Sequence, residues 1–217
     1  MQGAVAGLFA ILLGLSIHEY AHARVAKQQG DHTAEQFGRV TLNPLAHIDI
    51  IGTILVPLVL LVSSGGRIGF GWAKPVPVNP LAFRHPRRGV LWVSLAGPLS
   101  NILLALVAGL AVRVLGGPAF VPEGSNPLVL VLTAIALINL FLAFFNLIPI
   151  PPLDGSGVIS AILPVELAAK YESVSRFGTL IVLGLIIAGS LVGVGIIETV
   201  IVPPALLLFR LFTGYMG

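Results

Sequence analysis

Residues 1–22, MQGAVAGLFAILLGLSIHEYAH, decide how this chain is read: an unbroken uncharged run over 1–17 leads straight into His18-Glu19-Tyr20-Ala21-His22. Such a run is close to the roughly 20 helical residues that cross about 30 Å of hydrocarbon. A secretory leader would look similar, and Ala21-His22-Ala23 has the small-x-small pattern of a cleavage site. A leader also needs a basic stretch ahead of its apolar core, whereas the first basic residue here is Arg24. The run is therefore expected to remain as a permanent membrane helix.

Composition agrees. Of 217 residues, 56% are hydrophobic and 10% charged, against roughly 25% charged in a soluble domain. There is no cysteine, which excludes disulfides, thiolate nucleophiles and Cys-held metals and leaves His, Asp and Glu as ligands. The net charge is +3, but the basic residues lie between apolar runs and form no basic face. They read as topology signals, and nucleic acid is not expected as a partner.

Working outward, further spans are expected over 89–112, 124–148 and 178–197, with 199–209, which holds Pro203 and Pro204, reading as a tilted or interfacial segment. The apolar run 50–63 is too short to cross and is interrupted by Gly52 and Pro57. Its flanks, with Arg24, Lys27 and Arg39 before it and Arg67, Lys74, Arg84, Arg87 and Arg88 after it, both read as cytoplasmic. An even number of crossings must join them, so a re-entrant hairpin is expected. The expected fold is an all-α polytopic membrane bundle with a short re-entrant or β-like segment and a proline-broken helix. It forms one membrane-embedded domain over 1–217, with a core over about 1–160 and C-terminal membrane helices over about 176–213. No internal repeat is visible. Glu166, Glu172 and Arg176 read as a solvated helix face.

The chemistry centres on H-E-x-x-H. Residues i and i+4 share a helix face, so His18 and His22 can grip one zinc ion while Glu19, turned aside, reaches the metal's water. Polar residues capping a membrane span are the plainer alternative, but composition alone gives the pattern only about 0.003 occurrences in a chain like this. A third ligand is required, and the candidates are Asp31, His32, Glu35, His47, Asp49, His85 and Asp154. The first three read as solvated turn residues, and Asp49 reads equally well as a helix cap. Asp154 stands apart because Pro149, Pro151 and Pro152 forbid continued helix before it. Unwound chain at the bilayer belongs where it lines a cavity, and the parity of crossings puts Asp154 at the depth of His18 and His22.

His18-Glu19-x-x-His22, Ala96-Gly97-Pro98-Leu99-Ser100-Asn101 and Asn146-x-x-Pro149-x-x-x-x-Asp154-Gly155, in that order, together resemble the site-2 protease family of intramembrane zinc metalloproteases. The resemblance covers about residues 10–160. It implies a three-helix catalytic core near the cytosolic face, one zinc ion held by His18, His22 and Asp154, Glu19 as general base and Asn146 near the scissile carbonyl. Phe70-Gly71-Trp72-Ala73-Lys74-Pro75 looks like the compact subgroup. Within residues 1–217 no PDZ insertion separates the second and third spans and no CBS pair is seen, so recognition by such modules is not expected to carry over.

The expected activity is hydrolysis of a peptide bond within or near a transmembrane segment of a membrane-protein substrate, in a multi-pass protein of a prokaryotic cell membrane. Two polar residues keep structural alternatives: Asn146 as an interhelical tie, and Asn101 beside Gly97 as a packing residue. Trp72 and Trp92 read as interfacial anchors, and Lys74, Arg84, Arg87 and Arg88 as contacts to anionic headgroups. A helical substrate must unwind before water attacks, so an edge over 64–80, alternating around Val76 and Val78, is expected to receive it as an added strand.

Overall fold

A computed structural model describes residues 2–56, 59, 73–115, 126–192 and 195–215. Its helices are α1 (Gln2–Gln29), a single turn α2 (Thr33–Gln36), α3 (Pro86–Val114), α4 (Pro127–Asn146), α5 (Asp154–Ile162), α6 (Val165–Val174), α7 (Gly178–Val192) and α8 (Ile196–Thr213). There is no strand among the described residues. Four helical stretches are long and apolar enough to cross a bilayer: Gln2–Gln29, Pro86–Val114, Pro127–Asn146 and Val165–Gly189. The protein is a multi-pass all-α membrane bundle.

Helix starts follow local chemistry. Asn126 accepts a hydrogen bond from the Leu128 N–H, with Pro127 in the first turn of α4, and Pro86 opens α3. Proline suits the first turn because its missing N–H would have no intrahelical partner there. α1 continues to Gln29, well beyond residue 17, because Ala21-His22-Ala23-Arg24-Val25-Ala26-Lys27 holds no helix breaker. The H-E-x-x-H motif thus sits inside the helix and not at its end.

The three central helices meet along stripes of small residues spaced by four. On α1, Ala6, Ala10, Gly14, His18, His22 and Ala26 are all buried, and on α3 so are Gly89, Val93, Gly97, Asn101, Ala105 and Gly109. Small side chains let membrane helices approach closely where water provides no hydrophobic drive between them. α4 completes the core with Ile135, Ala136 and Leu140, and α8 adds Ala205, Phe209 and Phe212. α8 is thus a packed core helix, not an interfacial one. A Cβ on Gly109 would lie 2.7 Å from that of Phe212, and one on Gly214 would lie 3.0 Å from Arg113 Nε. The C-terminal end of α8 therefore lies beside the C-terminal end of α3.

Other expectations shift. The fourth apolar stretch begins at Val165, not 178, because α6 and a 3-10 turn (Ser175–Phe177) run into α7. Of the hairpin expected over 50–63, residues 57, 58 and 60–63 lie outside the described residues, as do 64–72 of the edge and Trp72. What is described is a wide helical turn, Ile50–Leu55, whose Gly52 N–H bonds to Asp49 Oδ1 at 2.6 Å. Residues 73–79 pair with no strand among the described residues, and their prolines cannot donate to a ladder.

Candidate metal centre

His18 and His22 lie on the packing stripe of α1, 4% and 8% exposed. Their rings stand nearly perpendicular at 80°, and the two Nε2 atoms are 3.0 Å apart. Asp154 opens α5, directly after the proline turn that ends α4. Its Oδ2 lies 3.1 Å from His18 Nε2 and its Oδ1 lies 3.3 Å from His22 Nε2. These three residues form the one group among those described with metal-ligating atoms all within 4.8 Å of one another.

Three observations test whether a cation fits. His22 Nδ1 lies 2.7 Å from the Val93 carbonyl, and a carbonyl only accepts, so Nδ1 carries a proton and Nε2, which faces Asp154, is the nitrogen placed to ligate a cation. Asp154 Oδ2 is buried and has no hydrogen-bond partner. Finally, a Cβ on Gly97 would lie 2.4 Å from His22 Nε2 and 2.6 Å from His18 Nε2. The α3 backbone thus forms a wall that only glycine leaves open. Two imidazole nitrogens and a carboxylate facing one point repel unless a cation lies between them. Two histidines and an aspartate are the donor set of a catalytic zinc centre, which needs three protein ligands, and the His22 bond to Val93 is the kind of outer contact that orients a ligand ring. His18 Nδ1 is buried without a partner.

Glu19, half-buried and on the neighbouring face, accepts a hydrogen bond at Oε2 from the Val76 N–H at 3.0 Å. That N–H belongs to the stretch 64–80 expected to receive a substrate strand, and it is turned toward α1. Asn146 ends α4, half-buried, and its Nδ2 donates to the Leu142 carbonyl of its own helix at 2.9 Å. Asn101 is fully buried, its Nδ2 unpartnered.

None of the other third-ligand candidates joins this group. Glu35 pairs with Lys27 at 2.5 Å and His32 at 2.9 Å on the surface, and these partners hold its carboxyl below the usual range. His47 Nε2 meets the Thr41 carbonyl at 2.9 Å. His85 precedes α3, exposed. Asp31 is not solvated as its neighbours implied but 1% exposed. Burial pushes its carboxyl upward, but hydrogen bonds from Thr33 and Asn79 outweigh this and hold it below the ordinary value. Its burial could not be read from sequence because Asn79 is far away in the chain. The spacing-of-four stripes, by contrast, are visible in the sequence as Ala6, Ala10 and Gly14 on α1 and Gly89, Gly97, Ala105 and Gly109 on α3. Arg84, Arg87 and Arg88 are exposed as expected, though Arg87 also donates to the Leu163 carbonyl at the end of α5.

Comparison with known proteins gives the family. Residues 119–189 match Peptidase family M50. The chain is 38% identical over 179 residues to "Putative zinc metalloprotease YwhC" of Bacillus subtilis, spanning 82% of this chain and 78% of that one. It is 32% identical over 195 residues to "Putative zinc metalloprotease Rip2" of Mycobacterium tuberculosis, spanning 88% and 71%. No solved structure matches. The chain therefore belongs to peptidase family M50, the site-2 protease family, and is a metalloprotease whose cofactor is zinc.

Proposed function

We propose that this protein is an intramembrane endopeptidase that cuts a peptide bond within or near a transmembrane segment of another membrane protein. The observation that carries the reading is that both histidines of the ligand cluster lie inside a helix long and apolar enough to cross the bilayer. A reactive centre built on such a helix serves substrates that reside in the membrane.

In this reading His18, His22 and Asp154 hold one zinc ion. Bound zinc would supply Lewis acidity, lowering the pKa of water and polarising the scissile carbonyl. The Val93 carbonyl keeps His22 in the tautomer that presents Nε2 as a ligand. Glu19 accepts the proton of the attacking water and returns it to the leaving amine. Asn146 turns its amide from the Leu142 carbonyl toward the scissile carbonyl, where a donor stabilises developing negative charge. The whole chain, 1–217, acts as one membrane-embedded protease domain. By the distribution of Lys and Arg, the centre faces the cytoplasmic side of a prokaryotic cell membrane.

The test pairs zinc content with cleavage of a panel of tagged single-span membrane proteins in liposomes. Wild type is expected to cut, Glu19→Gln to keep one zinc per chain while losing at least roughly 100-fold in rate, and Asp154→Ala to lose the metal. Undiminished cleavage by Glu19→Gln would remove Glu19 from its role. Cleavage only of soluble peptides would sink the intramembrane reading.

A further inference from the structure

Asp31 is a solvent-shielded acid that no step of the reaction uses. It sits just past the end of α1, after the turn at Gly30 with φ 107°. Its Oδ1 accepts the Thr33 N–H at 2.9 Å and the Thr33 hydroxyl at 2.5 Å, and its Oδ2 accepts the Asn79 N–H at 2.7 Å. Five residues before Asn79, the Lys74 N–H donates to the His47 carbonyl at 2.8 Å. The chain between these two ties crosses α1 at Glu19, where the Val76 N–H meets Oε2. Pro75 and Pro77 flank Val76. They favour extended backbone and carry no N–H of their own, so the amide reaching Glu19 is the only donor that tripeptide backbone has.

We propose that residues 74–79 form a strap, fastened by Asp31 and the His47 carbonyl, whose Val76 N–H fixes the Glu19 carboxylate, making Asp31 a positioning residue for the base. The inference rests on the assignment of Glu19 as general base. A free glutamate side chain samples many rotamers, whereas a base is effective only within hydrogen-bond reach of its proton. Holding Oε2 leaves Oε1 to take the proton. The strap also covers the carboxylate with chain that cannot itself pair as a strand at Pro75 or Pro77.

The test uses the full chain in detergent. Because prolines have no amide, hydrogen exchange within residues 75–77 reports Val76 alone. Its amide is expected to be protected in wild type, with or without zinc, and to exchange at least roughly tenfold faster in Glu19→Ala and in Asp31→Ala. With a cleavable single-span substrate, Val76→Pro is expected to lower kcat about 10- to 100-fold, the worth of a hydrogen bond to a charged group. KM and zinc content should be unchanged, and Val76→Ala, which keeps the N–H, should recover most of the loss. Free exchange of Val76 in wild type overturns the strap. So does a Val76→Pro enzyme with raised KM and intact kcat, which assigns that amide to substrate pairing. Glu19→Gln cleaving like wild type overturns the base assignment instead, and the exchange result would still decide whether the strap exists.

Discussion

At the scale of single residues, Gly97 controls the metal centre by having no side chain. Its neighbours are the ligand nitrogens themselves, and the space a Cβ would fill is the space between α3 and the two imidazoles. Gly97→Ala is expected to lower zinc affinity by roughly 100-fold or more, read by competition with a chromogenic chelator; wild-type affinity would show that α3 is not the wall described. Gly14 and Asn139 form a similar pair one turn deeper. A Cβ on Gly14 would lie 2.5 Å from Asn139 Oδ1, so the fully buried Asn139 has its place only because α1 is bare there. The sequence displayed His18, Glu19 and His22 because their chemistry depends on local spacing. It displayed neither the Gly97 wall nor the His22 bond to Val93, because both depend on how closely α3 approaches α1.

At the scale of elements, α1 does two jobs with one face. The stripe that packs it, Ala6 to Ala26, also carries both histidines, so the metal ligands are held as firmly as the helix interface. The proline turn does the complementary job for Asp154, lifting α5 away from α4 so that its first carboxylate points back at α1. The connection from α1 through α2 to the strap depends on Asp31, whose carboxyl is held below its ordinary value of 3.8. A group depressed in the folded state stabilises fully above its unfolded pKa and loses that contribution as pH falls through the folded one. The thermal midpoint of wild type should therefore exceed that of Asp31→Asn at pH 7, with the gap closing as pH drops below about 4. A gap that is constant with pH would remove the carboxylate from the account.

At the scale of the whole molecule, the ends of the helices give a testable topology. α3 runs away from the centre and α4 returns to it, so Arg84 and Lys170 are expected on one side of the membrane and Asn126 on the other. The chain has no cysteine and so is its own background for labelling. With impermeant maleimide on intact cells, Asn126→Cys should be labelled, while Arg84→Cys and Lys170→Cys should react only after lysis. The reverse pattern would invert the orientation of the catalytic centre.

The sequence by itself determined the solvent, the helical class and the ligand chemistry, because these follow from local quantities: apolar run length, missing charge and the spacing of His18, Glu19 and His22. The proline cluster before Asp154 was legible for the same reason, since a missing N–H breaks a helix in any context. The tertiary structure alone decided that α8 belongs in the core despite Pro203 and Pro204, that Asp31 is buried, and that the Val76 N–H is spent on Glu19. Each of these depends on contacts between residues far apart in the chain. Where a helix packs and which amide meets which carboxylate are settled by the close fit of small residues across three helices, and a linear pattern carries no measure of that distance.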